Sequence, residues 1–299
     1  MRKFLLLPLM LIWFAAAAQH RQEPVSDHYK ALQRLSAAPA PECAWMDTVR
    51  YPDAEIGSSI TFLLVQPHYL TAAQLHTISQ SVKAPANSSE QTRAELDYLL
   101  ELQAKRTPEQ EKRVDYLGRI GYWPQVNQMP SHPFYKENLE HLFFEGREVL
   151  GPWSTAENFP AITKLLQGVM HDMRVMEFTI KHRQLRPRPY HLEPSMKAMG
   201  RIGSPAFASG HTMWAYLQAY VWSEVIPEKR KEFLALADEI RRSREIMGIH
   251  YPSDNEAARL VAHRMLKSYF QNSQFKKDLK AATEEWKSKS TGFTVTANK

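Results

Sequence analysis

Apolar residues along the chain recur at helical rather than alternating spacing. Leu96, Leu99, Leu100 and Leu102 follow Ser88-Ser89-Glu90, a polar start before an apolar stripe. Thr107-Pro108-Glu109 is a helix start of a specific kind: a capping threonine, proline at the first helical position, then an acid. Two further helices are expected over 135–150 and 156–181. Another begins near Ser209, with Met213, Leu217, Val221 and Val225 on one face. Pro227 opens the next, which should stop at Gly248, and Ser253 with Glu256 reads as a capping box for the last sizeable helix. No alternating strand pattern of consequence, repeat or low-complexity tract interrupts this. The expected fold is all-α, a single-domain helical bundle.

The ends differ from the middle. Residues 1–18, MRKFLLLPLMLIWFAAAA, have the charged start, apolar stretch and A-x-A close of a cleaved export signal, which predicts a periplasmic protein. Residues 19–87 are loop-rich, with Pro39 and Pro41 and few periodic runs, and are expected to form an irregular N-terminal arm. The helical domain is then 88–272, with a turn-rich connection over 121–133. Residues 273–299 form a C-terminal tail, polar and frayed beyond about Ser288.

Composition changes this picture little: 299 residues, 43% hydrophobic and 23% charged, are enough for a sizeable core. Eleven glycines and nineteen prolines suit a mainly helical chain. A net charge of +6 suits an anionic substrate as well as plain solubility. No later segment has the length of a membrane span, and no nucleic-acid partner is expected. Cys43 is the sole cysteine and forms no internal disulfide. The sequence leaves a homo-oligomer open.

Three segments place reactive groups at helix ends. In 181–189, Lys181, Arg183, Arg186 and Arg188 are crowded with His182 and broken by Pro187 and Pro189, which hold the backbone extended. Arg188 offers a planar fork to an oxyanion and Lys181 a point charge; a basic surface patch reads equally well. In Ala208-Ser209-Gly210-His211, a helix start presents free backbone N–H groups, an anion seat with a histidine in its first turn. Simple capping by Ser209 is the plainer alternative. In 243–254, Arg244 continues the stripe of Phe233, Ala237 and Ile240. It should therefore be buried and need an anion. His250 follows the Gly248 stop, four residues before Asp254, so the carboxylate can grip one ring nitrogen and leave the other free.

Taken together, Lys-x6-Arg-Pro, Ser-Gly-His and Ser-Arg-x5-His-x3-Asp resemble the type 2 phosphatidic acid phosphatase superfamily. Within it, the bacterial class A non-specific acid phosphatases are the most similar branch. The resemblance runs over about residues 88–272. It implies a metal-independent acid phosphatase, without cofactor, acting on small phosphomonoesters. His250 would be the nucleophile, Asp254 its orienting partner and His211 the general acid and base. Lys181, Arg188, Arg244, Ser209 and Gly210 would hold the phosphoryl oxygens. The superfamily's vanadium-dependent haloperoxidases and lipid phosphatases are the alternatives, and a non-catalytic envelope protein is a third. Ala208 stands where the family usually has proline, and Arg186-Pro187 is a second Arg-Pro pair, read as supporting charge. His171, His182, His191 and His263 have no motif support.

Overall fold

The computed structural model describes residues 23–118, 130–131 and 133–296. The expected export signal, and most of the 121–133 connection, lie outside them. Among the described residues there is no β-strand; the chain is an all-α bundle.

In chain order the helices are α1 (Asp27–Leu32), α2 (Ala72–Gln80), α3 (Glu90–Lys105), α4 (Pro108–Leu117), α5 (Tyr135–Leu142) and α6 (Phe144–Leu150). They are followed by α7 (Pro160–Gln184), the short α8 (Pro189–Leu192), α9 (Gly210–Val225), α10 (Arg230–Ile246), α11 (Pro252–Tyr269) and α12 (Ser273–Thr296). Helix α9 is the hub. It packs against α7, α10, α11 and α12, and every residue from Thr212 to Ser223 is buried. A helix apolar on all sides belongs in the core, so the rest of the fold is wrapped around it. Only its first turn is left to face a cavity.

The helix punctuation follows local chemistry. Thr107 caps α4 and receives the N–H of Gln110 while Gln110 returns to the Thr107 N–H. Gly248, past the end of α10, has φ +67°, the left-handed conformation that glycine adopts without a side-chain clash. Helix α7 ends on Leu185, a left-handed residue with a side chain (φ 47°), and the chain then turns extended into Arg186 and Pro187.

Several boundaries differ from expectation. The helix over 135–150 is two short helices broken at Phe143. The helix over 156–181 starts instead at Pro160, which occupies its first turn, and runs to Gln184. The Ser253–Glu256 capping box does not form. Tyr251 precedes α11, and Asp254 is the residue that reaches back to the Tyr251 N–H, at 3.0 Å. Glu256 accepts from Ser26 and Arg259 instead. The supposed tail is α12, which lies along α7. It buries Phe275 and Ala282 and stacks Trp286 on Trp153 at 5.7 Å.

The arm is irregular but anchored. Three 3-10 segments (Pro41–Thr48, Asp53–Glu55, Ser58–Leu64) precede α2. The buried Asp172 carboxylate of α7 accepts the backbone N–H groups of His68, Tyr69 and Leu70, the last two at 2.9 Å. Phe62 stacks on Phe178 of the same helix at 5.2 Å.

Trp222 tests the hub. It is 1% exposed, stacked on Phe233 of α10 at 5.5 Å and set edge-on to Phe143 at 5.9 Å. Trp222→Ala should destabilise the protein by about 3–5 kcal/mol, read as a lower urea midpoint with an unchanged slope. A midpoint within error of the parent would show that α9 is not the packing centre.

Candidate active site

Three chain segments meet at one cavity of about 400 Å³. Its wall includes Lys181 from the end of α7, Arg188 from the start of α8, and Gly210 and His211 from the first turn of α9. Arg244 from the end of α10 and His250 from the 247–251 loop complete it. Asp254, in the first turn of α11, lies directly behind His250.

The cations are buried, and most of their hydrogen bonds go to backbone carbonyls. Arg188 donates to the carbonyls of Ser204 (2.9 Å) and Ile249 (2.8 Å) and to the Ser204 hydroxyl (3.3 Å). Lys181 donates to the carbonyls of Pro205 and Ala206. Arg244 donates to the Val114 carbonyl at 3.1 Å and to the Ser243 hydroxyl at 3.0 Å. Burial pushes Lys181 down to about 7, with the neighbouring Arg188 adding to the effect. It also lowers Arg188, and brings Arg244 down to about 10. A cavity walled by cations that resist being charged favours an anion.

His250 Nδ1 lies 3.1 Å from Asp254 Oδ2, and its Nε2 lies 2.9 Å from Arg188 Nη1. An ionised carboxylate only accepts, so Nδ1 carries the hydrogen and Nε2 keeps its lone pair. Burial raises the Asp254 carboxyl, but Arg186, His250 and the Tyr251 N–H outweigh it and hold Asp254 at about 2. Burial, then Arg188, keeps His250 well below the usual imidazole range. It is therefore neutral in the empty cavity.

His211 Nε2 lies 3.1 Å from the Gly118 carbonyl. The carbonyl can only accept, so Nε2 holds a hydrogen and Nδ1 is the nitrogen that titrates. Burial, then Arg244, sets this imidazole well below its ordinary value. A Cβ at Gly210 would sit 2.1 Å from Glu177 Oε1, so a larger residue there would force the Glu177 side chain to move.

Ser209 is placed differently from the other expected oxyanion ligands. It is fully buried, donates its hydroxyl to Thr212 Oγ1 (3.0 Å) and accepts the Thr212 N–H (3.4 Å). In this conformation it caps α9 and does not line the cavity.

Sequence reasoning overlooked several residues. Glu177 lines the cavity one helical turn before Lys181, with Nζ at 3.8 Å, and pairs with Arg174 at 2.5 Å. Its i, i+4 spacing from Lys181 was the available signal. His191 accepts the Arg188 N–H through Nδ1 at 3.1 Å and meets Glu55 through Nε2, bracing the start of α8. Asp115, Arg201 and Ser204 also line the wall and carried no motif.

The chain is similar in part to known proteins. Residues 161–278 match the model of the PAP2 superfamily. A non-specific acid phosphatase of Providencia stuartii is 31% identical over 147 residues, which cover 46% of this chain and 58% of that relative. Among solved structures, a transmembrane PAP2-type phosphatidylglycerolphosphate phosphatase from Bacillus subtilis aligns with a TM-score of 0.43 and 15% identity, covering 71% of this chain and 96% of its own. A bacterial vanadium-dependent iodoperoxidase aligns at 0.46 and 17%, covering 73% of this chain and 54% of its own. The stretch that matches the PAP2 superfamily model contains Lys181, Arg188, Gly210, His211, Arg244, His250 and Asp254, and the chain spans little more than half the length of the curated relative.

Proposed function

We propose that this protein is an exported acid phosphatase that hydrolyses small phosphomonoesters through a phosphohistidine on His250. One observation carries the reading. His250 Nε2, left unprotonated because Nδ1–H meets Asp254, accepts from Arg188 Nη1 at 2.9 Å and faces the wall that also presents Lys181, Arg244 and Gly210.

The chemistry follows from those positions. The phosphoryl oxygens take the three cations and the N–H groups at the start of α9 as ligands. The Nε2 lone pair attacks phosphorus as the ester P–O bond breaks, and Asp254 stabilises the positive charge that develops on the ring. The leaving alkoxide takes its proton from His211. A water then gives a proton back to His211 and attacks phosphorus, the P–N bond breaks, and phosphate leaves. The bound phosphoryl dianion raises the His211 pKa that burial and Arg244 depress, so substrate itself helps to charge the acid. The name of the Providencia relative supports the same activity, and the 1–18 signal supports export to a periplasm.

With p-nitrophenyl phosphate as substrate, His250→Ala should lower kcat by at least about a thousandfold. His211→Ala should slow alkyl phosphates far more than the aryl ester, whose leaving group needs no proton. Near-parent turnover by His250→Ala would refute the nucleophile assignment. Vanadate should inhibit hydrolysis; halide oxidation by the vanadate-loaded protein with peroxide would favour a haloperoxidase.

A second prediction concerns pH. Lys181 binds the oxyanion as an ammonium, and its pKa in the empty cavity is about 7. KM should be flat below that pH and rise above it by up to about tenfold per unit. The Lys181→Arg variant should lose this rise. A KM independent of pH between 6 and 9 would show that Lys181 does not contact substrate.

A further inference from the structure

Behind His250 lies a buried ion-pair chain that the mechanism does not use. Asp254 has two oxygens with separate duties: Oδ2 takes the His250 ring and the Tyr251 N–H, while Oδ1 takes Arg186 Nη1 at 2.7 Å. Arg186 is 2% exposed. It also donates to Ser253 Oγ (2.8 Å) and Thr92 Oγ1 (3.2 Å), and lies flat over the Tyr251 ring at 3.8 Å. Its other ion partner is Glu95 of α3, with Oε2 at 3.4 Å and no exposure. Glu95 in turn accepts the Ser253 N–H and hydroxyl, both at 2.8 Å, at the first turn of the helix that carries Asp254.

We propose that Glu95 and Arg186 are positioning residues that aim and tune the His250–Asp254 pair, making α3 part of the catalytic apparatus although it lies outside the matched stretch. This rests on the phosphatase reading for its kinetic test, though not for its spectroscopic one.

Arg186 occupies Oδ1, so only Oδ2 is offered to the imidazole, which fixes the ring orientation. One guanidinium is shared between two buried carboxylates. Burial raises the Glu95 carboxyl to about 7, and above that pH Glu95 draws part of the guanidinium's positive charge, so Asp254 keeps its basicity towards the His250 proton. With Glu95 neutralised, Arg186 would hold Asp254 more strongly and the pull on the imidazole would weaken. Glu95 also pins Ser253, so the carboxylate that aims the ring sits on a helix start that is itself fixed. A cation placed here only for stability would need one carboxylate; the second, on a separate helix, and the hydrogen bonds from Ser253 are what a positioning role requires.

Glu95→Gln tests this, because it keeps size and hydrogen-bonding capacity and removes the charge. Expected for p-nitrophenyl phosphate at pH 8, where Glu95 is ionised, are a kcat lower by about tenfold and a KM within about twofold. In an Asp254→Asn background, the same substitution should change kcat by less than about twofold. The same tenfold loss in both backgrounds would mean general loosening and overturn the proposal. Removing Arg186 alone would strand two buried carboxylates, so the second variant is Glu95→Gln with Arg186→Met, which removes one charge of each sign. In ¹⁵N spectra, the His250 Nδ1–H signal should be shifted and broadened in this double variant relative to the parent, because the Asp254 carboxylate is no longer held to one orientation. An unchanged ring signal would also overturn the proposal. That signal needs no turnover, so an inactive parent protein would refute the phosphatase reading while the spectra still decide on Glu95 and Arg186.

Discussion

Lys181, Arg188 and Arg244 are each no more than 2% exposed, yet all three are presented to one cavity. Removing a charge from water is expensive, and the usual remedy, a carboxylate in contact, would cancel the field that an anion needs. The fold solves this mainly with carbonyl dipoles. The acceptors are the backbone oxygens of Val114, Ser204, Pro205, Ala206 and Ile249. They solvate the three cations, and Glu177, 3.8 Å from Lys181, adds a partial counter-charge. The requirement explains why the chain around 202–206 is irregular: a helix would have spent those carbonyls on its own N–H groups. Arg186 shows the contrasting case. Its two carboxylate partners cancel its charge, and it serves the protein rather than a ligand.

The histidines obey the same electrostatics. Both imidazoles are held neutral by burial beside cations, so neither competes with an incoming anion for charge. On the proposed reading a substrate dianion would supply the negative charge that these cations call for, and α9 begins at the cavity with Gly210, where a Cβ would crowd Glu177.

Much of this was legible in the sequence because it depends on local chemistry. Thr107, Ser209 and Gly248 set helix limits that the structure keeps, and Arg244 was readable as buried because it continued an apolar stripe. The cavity-facing side chains were legible because charged groups at helix ends, broken by prolines, fit no solvated face. What escaped was set by packing between distant segments. Ser253 and Glu256 have the spacing of a cap, but Glu95, 158 residues away, claims Ser253 and leaves the cap to Asp254. Ser209 had two roles to choose from, and the nearby Thr212 decided for capping. The stretch 273–296 looked like a tail because its polar residues outnumber its apolar ones. Yet Phe275, Leu279, Ala282 and Trp286 fall at helical intervals, and that single stripe suffices to dock it.

The family-matched stretch does not hold the whole candidate site. Within 161–278 lie the groups proposed to hold an oxyanion and most of their acceptors, but some acceptors and braces lie upstream. The Val114 carbonyl steadies Arg244, the Gly118 carbonyl orients His211, and Glu95 shares Arg186 with Asp254. A piece cut at the family borders would carry the reactive residues with their geometry unconstrained. Dissection of this protein should therefore begin no later than the start of α3, and two segments nearly a hundred residues apart have to evolve as one unit.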